Sequence, residues 1–596
     1  KNNCNALNMK LIFDIETNGF LSDATLVHSI VVKDIETNQV YSYHGDKIGR
    51  GLMLLNGASL LVGHNILKFD LPVLKKLYPK QYNIKADTLD TLLVSRLIWT
   101  NRKELDYQKK ELPLNLAGRH SLESWGYRLG LRKGDFIKTG DFSKWSPEMQ
   151  EYCEKDVEVT HELYKLIQRQ KYSPEAIRLE HDFARCIHLQ EAHGFHFDVA
   201  SAKKLYASLA NRRLELEKSL VSTFPNWKQY VGTFIPKRDN KTKGYKKGVP
   251  VKKYKEITFN PNSRDHISNR LMNKGWKPTE FTPDGKPKVD ESILSTLDFP
   301  EAKLLSEHFL IQKRIGMLAE GNNAWLKLQQ DGKIYGSVIT NGANTGRCTH
   351  QKPNVAQTPS VGVPYGKECR SLFTVPDSYV LIGCDASGLE LRCLAHYLGA
   401  FDGGDFTKQL LHGDIHTYNQ KQIGLPTRDL AKRVIYGCIY GIGNQRLGSV
   451  VGKSSEEGRR IKEKLFEALP ALRQLRDNVL VKVRNQKYLY GLDKRKLIPR
   501  SEHSSLNLLI QSCGALIIKM ATVILHKKLK EKNYDENICT MVAHVHDELQ
   551  LQCKHCFADE IGTLAVQSIK DAGTYFNLRC PLDAEFKIGR TWADTH

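Results

Sequence analysis

The chain has 596 residues, and its 88 lysines and arginines against 66 aspartates and glutamates give a formal net charge of +22. At roughly 100 to 200 residues per domain, this length predicts about three to five domains. The positive charge favours a polyanionic partner, nucleic acid first, although a ribosomal or membrane-surface protein would also be basic. No apolar run approaches the roughly 20 residues that span a bilayer, and no signal-peptide core precedes the first strand-like run, which argues against membrane and secreted proteins.

The thirteen cysteines are scattered along the chain, a pattern that favours buried thiols in a reducing compartment, so we expect a cytoplasmic protein. Cys553-x-x-Cys556 has no second cysteine pair or spaced histidine pair that would complete a zinc site. Two ordinary cysteines are the preferred interpretation there.

The first 178 residues alternate strand-like runs with helical stretches, a pattern typical of an α/β layer. In the first run Asp14 and Glu16 are separated by one residue, so on a strand their side chains share a face and could bind the same metals. Asp70 follows Phe69, a few residues after Gly63-His64-Asn65. Tyr152 and Asp156 are four residues apart, which stacks them on one face of a helix.

These acids together predict a metal site. Two acids on a solvated strand are common, so the prediction depends on all four acids occurring in this order. Carboxylate oxygens are hard ligands that suit magnesium or manganese. Two such ions about 3.5–4 Å apart would activate a water on one side of a phosphodiester and stabilise the leaving oxygen on the other.

The middle of the chain has a helical segment followed by a strongly basic one. From about residue 179 to 224 the sequence is helical, which predicts a long rod-like element. Between Lys228 and Lys255 there are ten basic residues and one acid, Asp239. Such a stretch cannot bury a core, so it predicts a mobile basic loop. A solvated linker and a tip that binds nucleic acid or a partner both fit this composition.

Two segments of the rear half end in carboxylates. The run from Val380 to Asp385 predicts a buried strand that ends in an acid. The run from Val542 to Gln552 predicts a hairpin with acids, Asp547 among them, at its turn. Each alone is an ordinary polar strand end, but together they predict two carboxylates at one edge of a sheet.

Between these segments Arg428, Lys432, Tyr436 and Tyr440 recur every four residues. Because this spacing drifts only about 40° per step at 3.6 residues per turn, all four side chains share one broad helix face, cations first and rings after. That face would grip a triphosphate at one end and stack on a base at the other. An exposed amphipathic helix is the alternative, but it does not account for two rings that follow two cations.

The front motifs resemble those of the DEDD-type 3′–5′ exonucleases in their tyrosine-bearing variant. The matching motifs are Asp14-x-Glu16, Asn65-x-x-x-Phe69-Asp70 and Tyr152-x-x-x-Asp156. The resemblance implies a ribonuclease H-like exonuclease domain. In it the four acids would bind two metal ions, and the tyrosine would orient the attacking water.

The rear motifs resemble motifs A, B and C of family A DNA polymerases, and the surrounding sequence is most similar to the replicative polymerases of T-seven-like short-tailed bacteriophages. The matching segments are Asp385-Ala386-Ser387-Gly388-Leu389-Glu390-Leu391-Arg392, the Arg428–Gly437 helix, His546-Asp547-Glu548, Gly413-Asp414-Ile415-His416-Thr417, Thr345-Gly346-Arg347 and the final His596. The likeness runs over nearly the whole chain. It implies a multidomain protein of α/β and α+β folds, in which the ribonuclease H-like domain precedes a right-hand polymerase.

The resemblance also implies the domain order. We expect an exonuclease domain at 1–178, a thumb at 179–330 with a basic tip loop near 225–258, the first part of the palm at 331–415, the fingers at 416–500, and the second part of the palm, with some fingers helix, at 501–596.

Roles at the polymerase site follow from the same resemblance. Asp385 and Asp547, with the carbonyl of Ala386, would hold two magnesium ions, for which manganese can substitute, and Glu548 would be a supporting acid. Arg428, Lys432 and His416 would neutralise the β- and γ-phosphates. Lys432 would also act in catalysis.

Other residues would contact the sugar, the base and the DNA. Glu390 would exclude a 2′-hydroxyl and so select deoxyribonucleotides, Tyr436 would pack under the incoming sugar, and Tyr440 would belong to the same nucleotide-binding face. Five residues match positions that contact the primer–template, through minor-groove acceptors common to correct pairs: Arg347, Gln357, Asn507, Gln511 and His546.

The implied partners are primer–template DNA, deoxynucleoside triphosphates, a replicative helicase-primase and a single-strand-binding protein, in the cytoplasm of an infected bacterial cell and away from any membrane. The phage relatives carry a thumb-tip insertion that captures host thioredoxin. Here the stretch from Phe224 to Phe259 is much shorter and rich in lysine. We therefore do not expect thioredoxin dependence, and hypothesise that the basic tip contacts duplex phosphates directly.

Other functions fit parts of the sequence. A free-standing 3′–5′ exonuclease whose rear half only binds nucleic acid requires that Asp385 or Asp547 bind no metal. A non-catalytic nucleic-acid-binding scaffold predicts neither synthesis nor degradation. A single-subunit RNA polymerase fits the palm-like motifs, but Glu390 and the exonuclease motifs favour deoxyribonucleotides.

Tyr436 predicts how the enzyme treats chain terminators. In the resembling family a tyrosine at this position, in place of the phenylalanine of many bacterial relatives, is associated with ready acceptance of 3′-deoxy terminators. We expect efficient incorporation of dideoxynucleotides, and we expect Tyr436→Phe to restore discrimination. Competition between dideoxy- and deoxynucleotides measures this, and unchanged selectivity in the variant would contradict the prediction.

Overall fold

The computed structural model describes residues 9–109, 112–131 and 140–596. The chain divides into two compact units, which are described separately. The first consists of residues 1–195, 336–357 and 375–596, and the second of residues 196–335 and 358–374.

The front of the first unit contains a five-stranded sheet and its helices. They are β1 Met9–Thr17, β2 Val27–Asp34, β3 Val40–His44, α1 Ile48–Asn56, β4 Ala58–Gly63, α2 Asp70–Leu77, β5 Asp87–Asp90, α3 Thr91–Ile98, α4 Arg102–Lys109, α5 Leu122–Leu129, α6 Pro147–Arg169 and α7 Pro174–His193. The strand order is β3-β2-β1-β4-β5, with β1 antiparallel to β2 and parallel to β4. This mixed sheet confirms the α/β layer expected for the front of the chain.

Strand β1 is buried on both faces because successive side chains point to opposite sides of the sheet. Phe13 and Ile15 pack in the core formed with α1 and α2, whereas Ile12 packs with residues of α6. Asp14 and Glu16 follow Ile12 at two-residue intervals. The alternation of the strand therefore directs both acids toward α6.

The middle of the chain contributes further helices and strands. They are β6 Phe195–Phe197, α8 Val199–Thr223, β7 Trp227–Phe234, β8 Val251–Ile257, α9 Arg264–Asn273, α10 Glu291–Leu294, α11 Pro300–Ile315, α12 Trp325–Leu328, β9 Lys333–Ile334, β10 Ser337–Ile339, β11 Thr349–Gln351, α13 Gly366–Ser371 and β12 Phe373–Thr374. In the second unit β12, β6 and β9 form one small sheet. A separate core there includes Phe224 and Phe259, whose ring centroids lie 4.4 Å apart.

The ends of the basic stretch pair as an antiparallel hairpin, whereas residues 235–250 between the strands, with six of the ten cations, lie in the loop that the sequence predicted. Strands β7 and β8 pair from Trp227 opposite Ile257 to Phe234 opposite Val251. Aromatic residues pack across the hairpin: the ring centroids of Tyr230 and its cross-strand partner Tyr254 lie 6.0 Å apart. Cross-strand aromatic pairs of this kind stabilise isolated ribbons.

The rear of the chain returns to the first unit. Its elements are β13 Tyr379–Ala386, α14 Leu389–Leu398, α15 Asp405–His412, α16 Ile415–Ile423, α17 Arg428–Ile439, α18 Asn444–Val450, α19 Ser455–Ala468, α20 Pro470–Gln486, β14 Leu489–Tyr490, β15 Lys496–Leu497, α21 Ser505–Glu531, β16 Cys539–Val545, β17 Glu548–Lys554, α22 Ala558–Tyr575 and β18 Ala584–Gly589.

A four-stranded antiparallel sheet, in the order β16-β17-β13-β18, organises this rear part. On β13, Ile382, Cys384 and Ala386 point into the main core, which they share with α21 and α22. Gly383 and Asp385 therefore lie on the other face. The predicted buried strand and the predicted hairpin are both confirmed.

Helix α21 is the apolar centre of the rear part. In the region that the structure describes, the helix over Glu502–Glu531 passes a test of length and apolar composition for crossing a membrane, and its most apolar window is 83% buried inside the protein. The expectation that no apolar run approaches about 20 residues is therefore wrong for this helix. Its burial identifies α21 as a core helix, since neighbouring helices and strands cover it.

The predicted rod from 179 to 224 is instead two helices that belong to different units. Helix α7 ends at His193, and Gly194 follows with φ of 71°, a conformation that glycine adopts without steric cost. The chain then enters β6, which pairs with β12, and α8 starts beyond it. The helical periodicity on either side of Gly194 hid this break.

A buried ionic cluster joins α7 to the rear part of the first unit. Glu180 pairs with Arg495 at 2.8 Å and with Lys519 at 2.6 Å, and Arg495 also pairs with Asp493 at 2.7 Å. All four side chains are at most 2% exposed. Because removing one member would leave a buried charge unpaired, at a cost of about 3–5 kcal/mol, the cluster fixes how these elements meet.

His544 on β16 predicts an acid sensitivity of the fold. It is 4% exposed and its ring centroid lies 4.9 Å from that of Phe183. Burial, aided by the charges of His350 and Lys519, lowers its pKa to about 3. As the pH falls, this histidine therefore binds a proton in the unfolded chain before it does so in the folded chain. The free energy of unfolding then decreases as the pH falls from about 6.5 toward 3.

His544→Phe should remove this loss. Between pH 7 and pH 5 the parent should lose about 2 kcal/mol more stability than the variant, measured as the change in melting temperature across that interval. His555→Phe is the matched control because His555 is exposed. Equal pH dependence of the parent and His544→Phe would contradict the prediction.

Candidate active sites

The acids of the front motifs and their tyrosine line one cavity of about 860 Å³. Asp14 and Glu16 come from β1, and Asp70 is the first residue of α2. Tyr152 and Asp156 lie one turn apart on α6. The fold therefore brings together the whole set that the sequence predicted for the exonuclease site.

Asp70 is tied to β1 by its carboxylate. Its Oδ1 accepts a hydrogen bond of 3.2 Å from the backbone N–H of Ile15. Burial raises the pKa of Asp70 to about 8, and the neighbouring Asp90 and Asp156 add to the rise. Burial and neighbouring acids both disfavour the ionised form of this carboxyl group. A bound cation would stabilise the ionised form, because it offsets the repulsion from the neighbouring acids.

Tyr152 is buried and hydrogen-bonded to Asp156. Burial, together with the negative charges of Asp156 and Glu16, raises the pKa of the phenol well above its usual value. The hydroxyl is therefore protonated at every physiological pH. It can hold a water by hydrogen bonding but cannot act as its base.

Cys153 belongs to this site and was not predicted. Its Sγ lies 3.5 Å from the carbonyl oxygen of Asp14 and 3.6 Å from Asp14 Oδ2. Ligand atoms of Asp14, Glu16 and Cys153 all lie within 4.8 Å of one another. Its place next to Tyr152 in the sequence was the available signal, but a cysteine on the inner face of a helix usually only packs.

Asp90 is a second residue that sequence reasoning missed. Its carboxylate accepts hydrogen bonds from the backbone N–H groups of Asn65 at 2.9 Å, Leu67 at 3.2 Å and Leu92 at 2.9 Å. These bonds fix the segment that leads into α2 and so position Asp70. An acid at the end of a strand-like run was the only sequence signal, and such acids also serve as ordinary helix caps.

The same cavity has basic lining residues. They are Arg96, Arg102, Lys103, Arg119 and His120. Burial, with the charges of Arg96 and Arg128, lowers the pKa of His120 to about 3, so this ring is neutral at pH 7. Carboxylates able to hold cations, beside guanidinium groups able to bind phosphates, suit a single-stranded nucleic acid.

At the rear site Asp385 and Asp547 lie side by side. Asp385 is near the end of β13, opposite Glu548 of β17, and Asp547 is in the two-residue turn that precedes β17. The backbone N–H of Ala386 donates a 3.2 Å hydrogen bond to the carbonyl oxygen of Asp547. The two segments whose acids the sequence predicted at one strand edge are therefore neighbours in the fold.

The electrostatics of this pair favour a cation. Burial raises the pKa of Asp385 to about 6, and the charges of Asp547 and Glu548 add to the rise. Burial also raises the pKa of Asp547, although Arg347, with Nη2 at 4.0 Å from Asp547 Oδ1, opposes it. Oxygen donors that repel one another at a strand edge are the donor set that divalent magnesium or manganese prefers.

Glu548 lies opposite Asp385 in the sheet, beside the acid pair as expected for a supporting acid, and its carboxylate is hydrogen-bonded by neighbouring residues. Its carboxylate accepts hydrogen bonds from Trp592 Nε1 at 2.6 Å and Gln550 Nε2 at 2.5 Å, and it lies 3.3 Å from His596 Nδ1. Glu548 is thus held by the end of the chain. It adds negative charge beside Asp385 while its own oxygens are occupied.

Gly383 explains how the chain end reaches this sheet. A Cβ at Gly383 would lie 2.4 Å from the carbonyl oxygen of Thr595 and 2.5 Å from Gln550 Nε2. Only glycine leaves room for that approach. The last residues therefore pack directly on the strand that carries Asp385.

The predicted cationic helix is α17. It begins at Arg428 after the cap residue Thr427, and Arg428 and Lys432 are exposed, whereas Tyr436 is half-buried. The opposite face packs into the main core. The ring centroids of Tyr436 and Tyr440 lie 6.2 Å apart, so the two rings follow the two cations as expected.

His416 and Asp414 complete this cationic face. The Arg428 guanidinium donates a 2.7 Å hydrogen bond to Asp414, which caps α16. Burial lowers the pKa of His416, and the nearby charges of Arg428 and Lys432 lower it further. The three predicted phosphate-binding residues therefore lie close together, with Asp414 holding one of them in place.

Glu390 connects this helix to the acid pair. The Tyr440 hydroxyl donates a hydrogen bond to Glu390 Oε2, and Arg347 Nη2 donates one of 3.3 Å to Oε1. The positive charge of Arg347 also acts on Asp547, where it lowers the pKa of the carboxyl group. The predicted sugar-selecting acid is thus held between two residues predicted to contact the nucleotide and the DNA.

The remaining residues predicted to contact DNA have different settings. His546 is exposed in the turn beside Asp547, with φ of 55°. Asn507 and Gln511 are half-buried and lie one turn apart on α21. Gln357 is exposed at the end of a short 3₁₀ turn over Val355–Gln357. Their contact with DNA stays a prediction.

The two sites have distinct chemistry within one unit. The front site has four converging acids on a mixed sheet, and the rear site has two acids at the edge of an antiparallel sheet beside a cationic helix. This combination defines an enzyme of phosphodiester chemistry, a polymerase coupled to a nuclease.

Comparison with known proteins gives the same class. The model of DNA polymerase family A matches residues 239–594, and that of the ribonuclease H superfamily matches residues 11–168. The chain is 36% identical over 707 aligned positions to the DNA-directed DNA polymerases of Escherichia phage T7 and Enterobacteria phage T3, covering 98% of this chain and 100% of each relative. The chain therefore belongs to DNA polymerase family A.

A solved structure shares the fold. The POL domain of Pol1 from M. smegmatis, in complex with DNA primer-template and dNTP, superposes with a TM-score of 0.74 at 18% identity, covering 99% of this chain and 96% of that one. The expected fold class is confirmed. The chain is a phage-type DNA-directed DNA polymerase with a ribonuclease H-like proofreading exonuclease domain; both protein families generally use divalent metals.

Proposed function

We propose that this chain extends primers at a site built on Asp385 and Asp547 and removes 3′-terminal nucleotides at the site formed by the four front acids. The observation that carries the proposal is the junction of β13 with the Asp547 turn, fixed by the hydrogen bond from Ala386 to the Asp547 carbonyl. It holds two mutually repelling carboxylates at one strand edge. Two magnesium ions per site, with manganese as a substitute, match these oxygen donors.

In synthesis, bound magnesium would supply Lewis acidity toward the primer hydroxyl and the triphosphate. Arg428 and Lys432 would neutralise the charge of the β- and γ-phosphates, and the His416 ring would donate a hydrogen bond to them. The triphosphate must compete with Asp414 for Arg428, and it can do so because it has more negative charge than one carboxylate. Release of Asp414 would therefore accompany nucleotide binding.

In editing, the front acids would hold the scissile phosphate through their metal ions. The protonated Tyr152 would orient the attacking water by hydrogen bonding. The basic residues that line the cavity would bind the phosphates of the last unpaired nucleotides. The substrates that this arrangement suits are primer–template DNA, deoxynucleoside triphosphates and single-stranded 3′ ends.

We infer the cytoplasm of an infected bacterium as the site of action, with a replicative helicase-primase and a single-strand-binding protein as partners. The family, the phage relatives and the net charge of +22 support this setting. Direct binding assays with each candidate partner would establish the set.

One assay tests both active sites. A labelled primer–template is incubated with magnesium, with and without dNTPs, for the parent, Asp547→Ala and Asp14→Ala. We expect Asp547→Ala to lose extension by on the order of a thousand-fold while it still degrades the primer. Asp14→Ala should lose degradation to a similar extent and still extend.

Two acids outside both sites supply matched controls. Asp559→Ala, on the exposed first turn of α22, should extend normally, and Glu154→Ala, on the outward face of α6, should degrade normally. Retention of extension by Asp547→Ala, or of degradation by Asp14→Ala, would overturn the corresponding assignment.

We further propose that the β7–β8 hairpin binds duplex phosphates and that thioredoxin is not required. The ten cations between Lys228 and Lys255 are all exposed. Two hydrogen bonds stabilise turns at the tip. The backbone N–H of Lys243 donates to Asn240 Oδ1 at 3.0 Å, and that of Lys247 donates to Asp239 Oδ1 at 2.7 Å. The phage relatives align over 707 positions against 596 residues here, so they carry segments that this chain lacks.

The hairpin proposal predicts a change in salt dependence. Replacing Lys243, Lys246 and Lys247 by glutamine should weaken duplex binding and lower processivity at low salt. Binding releases fewer counterions when phosphate contacts are lost. The slope of log affinity against log salt should therefore become shallower by about two to three. Titration of duplex binding and processivity at several salt concentrations measures this slope.

The control replaces an equal number of exposed lysines, Lys75, Lys80 and Lys85, on the exonuclease part. Its slope should stay within about one of the parent value. The hairpin would be ruled out as the duplex-binding element if the processivity of the parent did not depend on salt. It would also be ruled out if the control variant changed the slope as much as the hairpin variant does.

A further inference from the structure

A buried sulfur lies beside the acids of the front site. Cys153 is fully buried, and its Sγ lies 3.6 Å from Asp14 Oδ2 and 3.5 Å from the Asp14 carbonyl oxygen. One ligand atom from each of Asp14, Glu16 and Cys153 lies within 4.8 Å of the other two. The front site therefore offers a soft thiol donor together with hard carboxylate oxygens.

The fold fixes this sulfur in place. Cys153 lies on α6 and packs in one core with Val157 of the same helix and Ile12 of β1. Ile12 is on the face of β1 that also carries Asp14 and Glu16. Because interiors are close-packed, the thiol cannot turn toward solvent without opening the contact between α6 and the sheet. The distances between the sulfur and the acids are therefore set before any cation binds.

The spacing of the donors suits a tetrahedral cation. Bond lengths of about 2.3 Å from zinc to sulfur and about 2.0 Å from zinc to a carboxylate oxygen put neighbouring ligands of a tetrahedral ion about 3.5 Å apart. The 3.6 Å between Cys153 Sγ and Asp14 Oδ2 matches this value. Magnesium gains nothing from the sulfur, because it takes oxygen ligands in octahedral geometry. The thiol therefore distinguishes thiophilic cations from magnesium.

A simpler role for Cys153 fits the same distances. A thiol that only donates a hydrogen bond to Asp14 would support the carboxylate, and the affinity of the site for zinc or cadmium would not depend on it. A cation bound through sulfur instead takes the place of the thiol proton, which leaves for the solvent. The two alternatives differ in a measurable quantity, the dependence of soft-cation affinity on Cys153.

The thiol also distinguishes the front site from the rear one. Cys384 precedes Asp385, but the alternation along β13 turns its side chain into the main core, away from the carboxylate. In the part of the chain that the structure describes, the other group of ligand residues close enough to share an ion contains no sulfur; it consists of Glu158, His161 and Glu162. A preference for soft cations therefore concerns the exonuclease site.

We propose that the exonuclease site also takes a thiophilic divalent cation, zinc or cadmium, through Asp14, Glu16 and Cys153. This inference rests on the proposed function. The soft cation occupies two of the acids that the magnesium-dependent reaction needs, so it blocks degradation of DNA. Extension at the rear site continues, because no thiol strengthens the binding of the soft cation there.

Binding is measured on the full chain without DNA. Cadmium is titrated into the parent, Cys153→Ser and Cys153→Ala, and the ultraviolet charge-transfer absorption of cadmium bound to thiolate is followed. The parent should bind one tight equivalent that both variants lack. Affinity at this site should fall by about ten-fold or more, because losing a ligand costs at least as much as losing a group that only supports one.

The two substitutions at Cys153 separate ligation from hydrogen bonding. Serine keeps a hydroxyl that can donate to Asp14 but supplies no sulfur, so it should lose the tight equivalent even though the hydrogen bond remains. Alanine adds no polar group to the core, and it serves if the serine variant folds poorly. Calcium affinity, which depends on oxygen donors, should stay close to that of the parent in both.

Two further variants show whether the thiol and the acids act together. Asp14→Ala retains the sulfur but loses its nearest carboxylate, and it should also lose the tight equivalent. Cys556→Ser removes an exposed thiol outside the site and should keep the tight equivalent. A tight equivalent that survives in Cys153→Ser or in Asp14→Ala would overturn the proposal.

Activity supplies the second readout. Degradation of single-stranded DNA is measured at fixed magnesium while zinc is raised, and each variant is compared with its own rate in magnesium alone. The half-inhibiting zinc concentration should be about ten-fold higher or more in Cys153→Ser than in the parent. Extension by the parent should continue at zinc concentrations that stop degradation. Equal inhibition of the parent and Cys153→Ser, or loss of extension together with degradation, would contradict the inference.

Failure of this inference is distinguishable from failure of the proposed function. Degradation of the primer by Asp14→Ala in magnesium would remove the exonuclease assignment, and cadmium binding, which is measured without DNA, does not depend on that result. Loss of degradation in Asp14→Ala, together with equal cadmium affinity in the parent and Cys153→Ser, would overturn only the role of the sulfur.

Discussion

Repulsion between carboxylates is the constraint on which both active sites of this polymerase depend. Burial and neighbouring charge raise the pKa of Asp70 to about 8 and that of Asp385 to about 6. Neither group would gather with other acids by itself. The framework holds them there through backbone hydrogen bonds, from Ile15 to Asp70 and from Ala386 to the Asp547 carbonyl. Divalent cations then have oxygen ligands already in position, and little reorganisation remains at the moment of reaction.

The framework that resists this repulsion differs between the two sites. At the front, β1 is packed on both faces, so Asp14 and Glu16 cannot turn away from α6 without moving a buried strand. At the rear, the strand that carries Asp385 is central in its sheet, and the chain end packs over Gly383. In each case the energy that holds the acids together comes from apolar burial and close packing around them.

Local signals in the sequence predicted much of this architecture. Alternation along β1, the four-residue spacing of Tyr152 and Asp156, and the stripe on α17 are periodic patterns, and each is found in the expected element. Resemblance to known motifs then predicted which acids meet. The hairpin β7–β8 was missed because charge dominates its composition, while its stability depends on cross-strand aromatic pairs.

Features that depend on distant pairing left no such signal. Glu180 and Lys519 are 339 positions apart, and neither is distinguishable in sequence from an exposed charge. The break after α7 depends on Gly194 and on the pairing of β6 with β12, a strand far along the chain. Asp90 has the sequence signature of a helix cap, which it also is; its role beside Asp70 follows only from the folded segment around Asn65.

The continuity of the first unit has a consequence for the DNA. Helices α6 and α7 run in succession from the nuclease sheet to the buried pairing of Glu180 with α21, so both reaction centres belong to one body. The two sites are then linked by packed elements of one unit, and the nucleic acid must deform when its end moves between them. Each stacked step that opens costs about 1.4 kcal/mol on average. Ends rich in adenine and thymine should therefore be trimmed more often than ends rich in guanine and cytosine, whether or not they are correctly matched.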